Sequence, residues 1–414
     1  MQNKLLAGFI IAAFGAVATA PSLAADPIRV AFNDPLSGPF AATGTNGLHE
    51  FEFAAAEINK KGGVLGRQIE VIGFDNKVSP KEALIQLKNI IGDKIQFVFQ
   101  GNSSGVANAI TDAVDKHNER NPQERILYLN YSAVDPALTN EKCNFWHFRF
   151  DPHADMKMNA LTDVLAKDAS LKRVYVIGQD YSFGKAVAAA AESMLKQKRP
   201  DIELVGNELH PIGKVKDFSP YIAKIKAANA QAVITGNWGA DMLGLAKAAE
   251  DANLGLPIYT YYAATTGITK AIGAGGVGKV RLVHEGTVNP PLTQEWSDYV
   301  TRFKAAFPDN DVSQSRIHTS LNMLVKAIDK AQSTDPLKVA VALEGMEYTA
   351  PWGDKMVMRT QDHQIQSPVR ISVHTNKDIT HDYDNSGFGL HTESTVSAEQ
   401  ASVATTCEMK RPAS

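Results

Sequence analysis

The chain is short of three things: cysteine, an excess of charge of one sign and, beyond its first segment, long apolar runs. Its 414 residues include two cysteines and 42 basic against 45 acidic residues, for a formal net charge of −3. A near-neutral chain lacks the electrostatic footprint of a nucleic-acid-binding protein, so we expect no nucleic-acid partner. No histidine or cysteine cluster has a recognised metal-ligand spacing, and we expect no metal and no cofactor. No apolar stretch after the N-terminus is long enough for a membrane span.

The N-terminal segment is the one place with a long apolar run. Lys4 precedes an apolar stretch from Leu5 to about Ala18, and small residues at Ser22 and Ala24 follow. A positive head, an apolar middle and small residues at the end are typical of a secretory signal peptide. A membrane anchor is the alternative, but it requires roughly 20 apolar residues. We predict a signal peptide over residues 1–24, cleavage after about Ala24, and a periplasmic mature protein.

The two cysteines, Cys143 and Cys407, lie far apart in the sequence. An exported protein matures in an oxidising compartment, where paired cysteines form disulfide bonds. We therefore predict a disulfide bond between Cys143 and Cys407 that ties the C-terminal tail to the middle of the chain. Two free buried thiols are the alternative.

From Ile28 onwards, short β-rich runs alternate with segments of helical periodicity. The pattern occurs first over residues 28–129 and again after Phe150. Such alternation predicts right-handed crossovers and parallel sheets covered on both faces. We expect an α/β fold of two doubly wound parallel-sheet lobes with a hinge and an interlobe cleft. The predicted first lobe comprises residues 25–147 and about 280–350, the second comprises 148–279 and about 351–390, and a C-terminal tail covers 391–414.

The segment Gly101-Asn102-Ser103-Ser104-Gly105 lies between a predicted strand and a predicted helix. The pattern G-x-S-x-G in this context is typical of the nucleophile of an α/β-hydrolase, so a secreted serine hydrolase using Ser103 is one hypothesis. Serine hydroxyls beside the free N–H groups of a helix N-terminus also form a carboxylate site. Plain capping of the helix by these serines is the third interpretation.

Several short segments occur in an order that is characteristic of one family. They are Pro35-Leu36-Ser37-Gly38-Pro39, Gly62-Gly63-Val64-Leu65-Gly66-Arg67, Ser103-Ser104-Gly105, Asp180-Tyr181-Ser182-Phe183-Gly184 and Trp238-Gly239-Ala240-Asp241. With them the chain resembles, from about residue 28 to 290, the type I periplasmic binding proteins for branched-chain amino acids and related solutes. The resemblance implies a non-catalytic, monomeric Venus-flytrap protein that binds a small solute and presents it to an ABC permease complex in the inner membrane. A soluble ligand sensor of the same architecture is the alternative.

The resemblance also implies a set of ligand-binding residues. In the family, the first lobe holds the ligand carboxylate with a serine after the third strand and with the loop after the fourth. The matching positions are Ser104, or Ser103 if the alignment shifts by one, together with Ser132 and Val134. Aromatic residues of the second lobe close over the ligand. Phe183 and Trp238 occupy the matching positions, with Tyr181 adjacent. Tyr131, Tyr261 and Tyr262 are further aromatic candidates, and core packing accounts for some of the six.

One segment departs from the family pattern. In the amino-acid binders a glutamate after a later second-lobe strand pairs with the ligand ammonium, whereas residues Tyr259 to Ala264 contain no acid. A buried ammonium without a counter-charge costs several kcal/mol. Unless Asp34, Asp135, Asp180 or Asp241 takes that role, we expect an aromatic or other hydrophobic carboxylate, with a branched-chain amino acid as the second choice.

Overall fold

The structure, a computed structural model, describes residues 26–412. The predicted signal peptide and its cleavage site lie outside the described residues. The helices are α1 (Ala41–Lys60), α2 (Pro80–Gly92), α3 (Ser104–Arg120), α4 (Ala154–Leu165), α5 (Ser182–Lys198), α6 (Ser219–Ala227), α7 (Gly239–Asp251), α8 (Ile268–Ile272), α9 (Gln294–Ala306), α10 (Ser315–Ala331), α11 (Pro336–Leu343) and α12 (Ala398–Ala401). Across residues 26–412, none of these helices has both the length and the apolar character needed to cross a bilayer.

The first lobe is built on a parallel sheet in the order β2-β1-β3-β4-β5. Its strands are β1 (Ile28–Asp34), β2 (Ile69–Asp75), β3 (Phe97–Gln100), β4 (Leu127–Asn130) and β5 (His147–Arg149). β3, β4 and β5 are buried along their whole length, which is why the first three residues of β3 and of β4 are consecutive hydrophobic residues rather than an alternating pattern. The prediction of a doubly wound parallel lobe is confirmed here.

The second lobe has a seven-stranded sheet in the order β15-β14-β10-β9-β8-β6-β7. Its strands are β6 (Arg173–Gln179), β7 (Glu203–His210), β8 (Ala232–Thr235), β9 (Ile258–Thr260), β10 (Val280–His284), β14 (Val369–Thr375) and β15 (Gly389–Val396). The strands up to β10 are parallel, and β14 and β15 are antiparallel additions at one edge. The second lobe is therefore a mixed sheet rather than a purely parallel one.

Two predicted boundaries differ from the structure. We expected the chain to return to the first lobe at about residue 280, but β10 pairs with β9 and β14 and so belongs to the second sheet. The return follows Glu285, and α10 then packs against α1 of the first lobe.

A three-stranded sheet of β11 (Glu347–Thr349), β12 (Lys355–Met358) and β13 (Ile365–Gln366) follows. It stays beside the first lobe, since the rings of Trp296 and Trp352 lie 4.7 Å apart and Gln364 bridges to Arg149. The second lobe therefore resumes only at β14, not at about residue 351.

The predicted tail is also more ordered than its composition suggests. Its first residues complete β15, and the chain then returns to the first lobe, where the Thr405 hydroxyl donates to the Thr139 carbonyl at 2.7 Å. Cys143 and Cys407 form a disulfide bond with their Cα atoms 5.7 Å apart. The last segment of the described chain is thus fastened to the first lobe.

Candidate functional site

A pocket lies between the lobes at the carboxyl ends of the parallel strands, where open α/β sheets bind ligands. About 320 Å³ of space between its lining residues is free of protein atoms, including the open solvent at its mouth. Eight of the ten candidate residues from the sequence line it: Ser103, Ser104, Ser132, Val134, Tyr181, Phe183, Trp238 and Tyr262. Tyr131 and Tyr261 do not reach it. Further lining residues that sequence reasoning missed are Thr43, Asn102, Thr265, Gln314 and Arg316.

The loop between β3 and α3 forms the first-lobe side of the pocket. The buried Asp34 carboxylate holds this loop by accepting hydrogen bonds from the backbone N–H groups of Gly101 at 3.0 Å and Asn102 at 2.9 Å. Burial raises the pKa of Asp34 to about 7, although these hydrogen bonds and one from Tyr131 favour the charged form. Ser103 follows with a φ of +84°, a conformation uncommon for any residue but glycine. Such strain persists where surrounding contacts fix the backbone, and it concentrates at functional sites.

Tyr131 supports the β3–α3 loop from the side of the first-lobe core. Its hydroxyl donates to Asp34 Oδ2 at 2.6 Å, and its ring packs 5.3 Å from that of Phe51 in the first-lobe core. Tyr261 is likewise outside the pocket, with its hydroxyl donating to the Ala154 carbonyl at 2.9 Å. Both are buried aromatic residues whose chain positions resemble those of pocket residues but whose side chains point into packed regions.

The second lobe contributes an aromatic wall. Tyr181 and Phe183 follow β6, Trp238 follows β8, and Tyr262 follows β9. The Trp238 indole N–H donates to the Tyr181 hydroxyl oxygen at 2.8 Å. From the first lobe, the ring of Phe40 packs 4.3 Å from that of Trp238. These rings give the pocket an apolar surface that is held in place by its own contacts.

The lobes also touch through polar groups, and the cleft is closed. The Tyr262 hydroxyl of the second lobe donates to the Ser132 carbonyl of the first at 3.2 Å. Lys157 and Arg316 lie over the Tyr262 ring, at 5.2 Å and 5.7 Å from its centroid. Tyr262 thus joins the aromatic wall to a buried cluster of charges at the hinge.

That hinge cluster consists of Arg316, Glu285, Asp151 and Lys157, all buried. Arg316 Nη1 lies 3.1 Å from Glu285 Oε1, Arg316 Nε lies 3.3 Å from Asp151 Oδ2, and Lys157 Nζ lies 2.6 Å from Asp151 Oδ1. Burial disfavours the charged form of Glu285, but Arg316 and Lys157 outweigh it and hold its pKa at about 2. Asp151 and Glu285 occupy two of the crossings between the lobes, so the cluster joins the hinge to the pocket.

The lining residues of the described chain include no aspartate, glutamate or histidine. Each of the four acids considered as a partner for a ligand ammonium is engaged elsewhere. The partners are Gly101, Asn102 and Tyr131 for Asp34, Ala137 and Asn108 for Asp135, Lys185 for Asp180, and Gln179 and Gly213 for Asp241. Because no aspartate, glutamate or histidine lines the pocket, no lining residue of these types can act as the general base that a serine hydrolase using Ser103 would need.

This fold and pocket define a two-lobed solute-binding protein, and comparisons of the chain with known proteins agree with this class. The chain belongs to the periplasmic binding protein family, whose family model matches residues 27–377. It is 33% identical over 99% of its length, and 98% of the relative's, to a Leu/Ile/Val-binding protein homologue of Brucella abortus. The solved closed conformation of a leucine-, isoleucine-, valine-, threonine- and alanine-binding protein from Brucella ovis is 30% identical, with a TM-score of 0.81 over 94% of this chain and 100% of that one.

A third comparison shows the fold alone. A solute-binding protein of an ABC transporter from R. palustris, solved in complex with benzoate, has a TM-score of 0.78 over 92% of this chain and 99% of its own, at 19% identity. The predicted family and fold are confirmed. The chain is a periplasmic binding protein, and the more similar relatives are named as binding proteins for leucine, isoleucine and valine.

Proposed function

We propose that this protein binds a small carboxylate with a hydrophobic, preferentially aromatic body in its interlobe pocket and carries it to its permease. The first lobe would receive the carboxylate at Ser103, Ser104 and the loop of Ser132 and Val134. The second lobe would cover the body with Tyr181, Phe183, Trp238 and Tyr262. We further propose that the mature chain begins after Ala24 and acts as a monomer.

The observation that carries this proposal is the composition of the pocket lining. It combines hydroxyls at the N-terminus of α3, which suit an anion, with four aromatic rings, which suit an apolar body. A carboxylate there gains hydrogen bonds that contribute about 1.5–3 kcal/mol each. The fold also accommodates an aromatic acid elsewhere, in the benzoate complex of the R. palustris protein.

A branched-chain amino acid is the second candidate, because the more similar relatives are named for leucine, isoleucine and valine. Its carboxylate and side chain fit the same two halves of the pocket. Its ammonium group does not, since no acid lines the pocket of the described chain and an unpaired buried charge costs several kcal/mol.

Isothermal titration calorimetry and melting-temperature measurements test the proposal, on protein that has been unfolded and refolded to remove any bound ligand. We expect benzoate, phenylacetate or hydrocinnamate to bind and raise the melting temperature, and leucine, isoleucine and valine to bind at least tenfold more weakly. Ser104→Ala should weaken the acids, whereas Ser193→Ala, which removes a hydroxyl on α5 outside the pocket, should not. Tight binding of leucine or valine with no response to any of the acids would contradict the proposal.

A further inference from the structure

The side chain of Phe40 crosses from the first lobe to the second. Phe40 lies between β1 and α1 of the first lobe, yet it is 5% exposed and belongs to the same buried cluster as Phe183 and Trp238 of the second lobe. Its ring centroid lies 4.3 Å from that of Trp238. Because these contacts join the two lobes, they form when the cleft closes and are lost when the lobes separate.

Two glycines of the second lobe make room for this ring. Gly213 follows β7 with a φ of +67°, and Gly239 begins α7 with a φ of +55°. A methyl group on Gly213 would lie 2.7 Å from Phe40 Cε2, and one on Gly239 would lie 2.5 Å from Phe40 Cδ1. Carbon atoms in contact lie about 3.5–4.0 Å apart, so either methyl group would clash with the ring. Gly213, Trp238 and Gly239 thus form a slot for the Phe40 ring.

Hydrogen bonds within the second lobe fix the shape of this slot. The buried Asp241 carboxylate accepts from the Gly213 backbone N–H at 2.8 Å and from Gln179 Nε2 at 2.7 Å. Gln179 Nε2 also donates to the Trp238 carbonyl at 3.3 Å. These bonds tie the loop after β7 and the start of α7 to the end of β6. The slot is therefore built by the second lobe itself.

The position of Phe40 at the start of α1 supports a role outside the first lobe. Phe40 occupies the N-cap position of α1, and its side chain makes no capping hydrogen bond. Serine, threonine, asparagine and aspartate favour this position because their side chains accept from the first N–H groups of the helix. Departures from such local rules concentrate at functional sites. For Phe40 the contact that compensates is the one with the second lobe.

We propose that Phe40 is an interlobe latch, whose ring enters the slot on closure and stabilises the closed form independently of the ligand. Phe40 lies outside the lining of the pocket and acts as a positioning residue for the lobes. The affinity of a ligand for the closed form is scaled by the fraction of protein that is closed, so the latch raises every affinity by the same factor. The proposal goes beyond the carboxylate function, because it holds for any solute that closes the cleft.

Phe40→Ala tests the latch by calorimetry and stopped-flow binding. The variant removes the ring but keeps the hydrogen bond from Trp238 to Tyr181. We expect the affinities for hydrocinnamate and isocaproate to fall by one common factor of about ten- to a hundredfold. The loss should lie in the dissociation rate, because the latch breaks when the lobes open. If the carboxylate function fails, leucine serves as the probe, with the same factor expected.

Phe307→Ala is the matched control, because the ring of Phe307 packs 5.4 Å from that of Phe303 within the first lobe. It should lower the melting temperature and leave both affinities unchanged. Losses in Phe40→Ala that differ between hydrocinnamate and isocaproate, or equal losses in Phe307→Ala, would contradict the latch.

A double-mutant cycle separates the fit of the ring from backbone strain. Gly213→Ala strains a positive φ in either background, but its methyl group meets the ring only where Phe40 is present. We expect it to weaken binding at least about tenfold in the wild type and less than about threefold in Phe40→Ala. Gly66→Ala, at a φ of +72° with no atom within 4 Å of the added methyl group, is the control and should leave affinity unchanged. Equal losses from Gly213→Ala in the two backgrounds would contradict the slot.

A third measurement needs no ligand. Both native cysteines are joined in the disulfide bond, so cysteines introduced at the exposed Lys88 of α2 and Lys247 of α7 carry the only free thiols for a pair of dyes. Single-molecule energy transfer then gives the ratio of closed to open molecules. We expect Phe40→Ala to lower this ratio at least about tenfold in ligand-free protein and Phe307→Ala to leave it unchanged. No closed molecules in the wild type, or a ratio that Phe40→Ala does not alter, would overturn the latch and leave the carboxylate function intact.

Discussion

The two halves of the pocket are built by different physical means. The first-lobe half is held by directional contacts: Asp34 fixes the β3–α3 loop, and Arg316 fixes Ser132 and Gln314. The second-lobe half is held by ring packing, with few hydrogen bonds such as that from Trp238 to Tyr181. Directional contacts select the sign and geometry of a polar group, whereas aromatic surfaces select size and shape. The comparison suggests that head group and body are recognised independently.

The largest expected effect comes from breaking the charge cluster beneath the first-lobe half. Arg316→Met leaves Lys157 as the remaining cation of the cluster beside the buried Glu285 and Asp151, and we expect a loss of about 3–5 kcal/mol in the free energy of unfolding. Chemical denaturation measures it. Arg302→Met, which removes an exposed ion pair with Glu57, is the matched control and should cost about 0–1 kcal/mol.

The same variant has a pH signature. Glu285 has a pKa of about 2 in the folded protein against an ordinary value of 4.5, so it contributes stability above pH 4.5 that is lost as the pH falls towards 2. In Arg316→Met this contribution should shrink, and the free energy of unfolding should fall less steeply over that range. Equal steepness in wild type and variant would mean that Arg316 does not hold Glu285 ionised.

The next largest effect should arise in the aromatic half. Trp238→Ala removes the ring that packs on Phe40 and the donor to Tyr181, and we expect affinity for an aromatic acid to fall by about a hundredfold. The loss should be greater for hydrocinnamate than for the aliphatic isocaproate, because the ring selects the body. Trp238→Phe should retain part of the affinity. Equal losses for the two acids in calorimetry would break the separation of head-group and body recognition.

Ser104→Ala tests the first-lobe half with a smaller change. It removes one hydroxyl from the carboxylate site, and we expect affinity to fall by about ten- to thirtyfold. The factor should be the same for benzoate, hydrocinnamate and isocaproate, since they share the head group and differ in the body. A loss that depends on the body would contradict the proposed place of the carboxylate.

The repeated alternation of strands and helices was sufficient to predict the two lobes. Periodicity reports local structure and burial, and both sheets follow it closely. It could not assign β10 to a lobe, because the pairing of Val280–His284 with β9 and β14 depends on contacts far away in sequence. It also could not reveal that β14 and β15 run antiparallel at the edge of the second sheet.

The residues of the candidate site also divide into those that the sequence indicates and those that it does not. Ser103, Ser104, Phe183 and Trp238 stand beside strand ends within short motifs, and sequence reasoning could find them. Gln314 and Arg316 lie in no such motif. An arginine at the start of a helix usually lies in solvent, whereas tertiary packing buries Arg316 to 4% exposure, and the sequence does not show that packing. Arg316 reaches the pocket from the start of α10, where it pairs with Glu285 of a crossing that the sequence does not mark.

The smallest predicted effect separates a structural serine from a ligand-binding one in the same lobe. Ser79 caps α2, with its hydroxyl accepting from the Glu82 N–H at 3.3 Å, whereas Ser103 precedes α3 at positive φ and makes no side-chain capping bond. Ser79→Ala should lower the free energy of unfolding by about 1 kcal/mol and leave acid affinity unchanged. Ser103→Ala should do the reverse, weakening the acids while changing stability by less than about 0.5 kcal/mol. If both variants lost only stability, Ser103 would be a plain cap, and the carboxylate would have to be bound by Ser104, Ser132 and backbone groups.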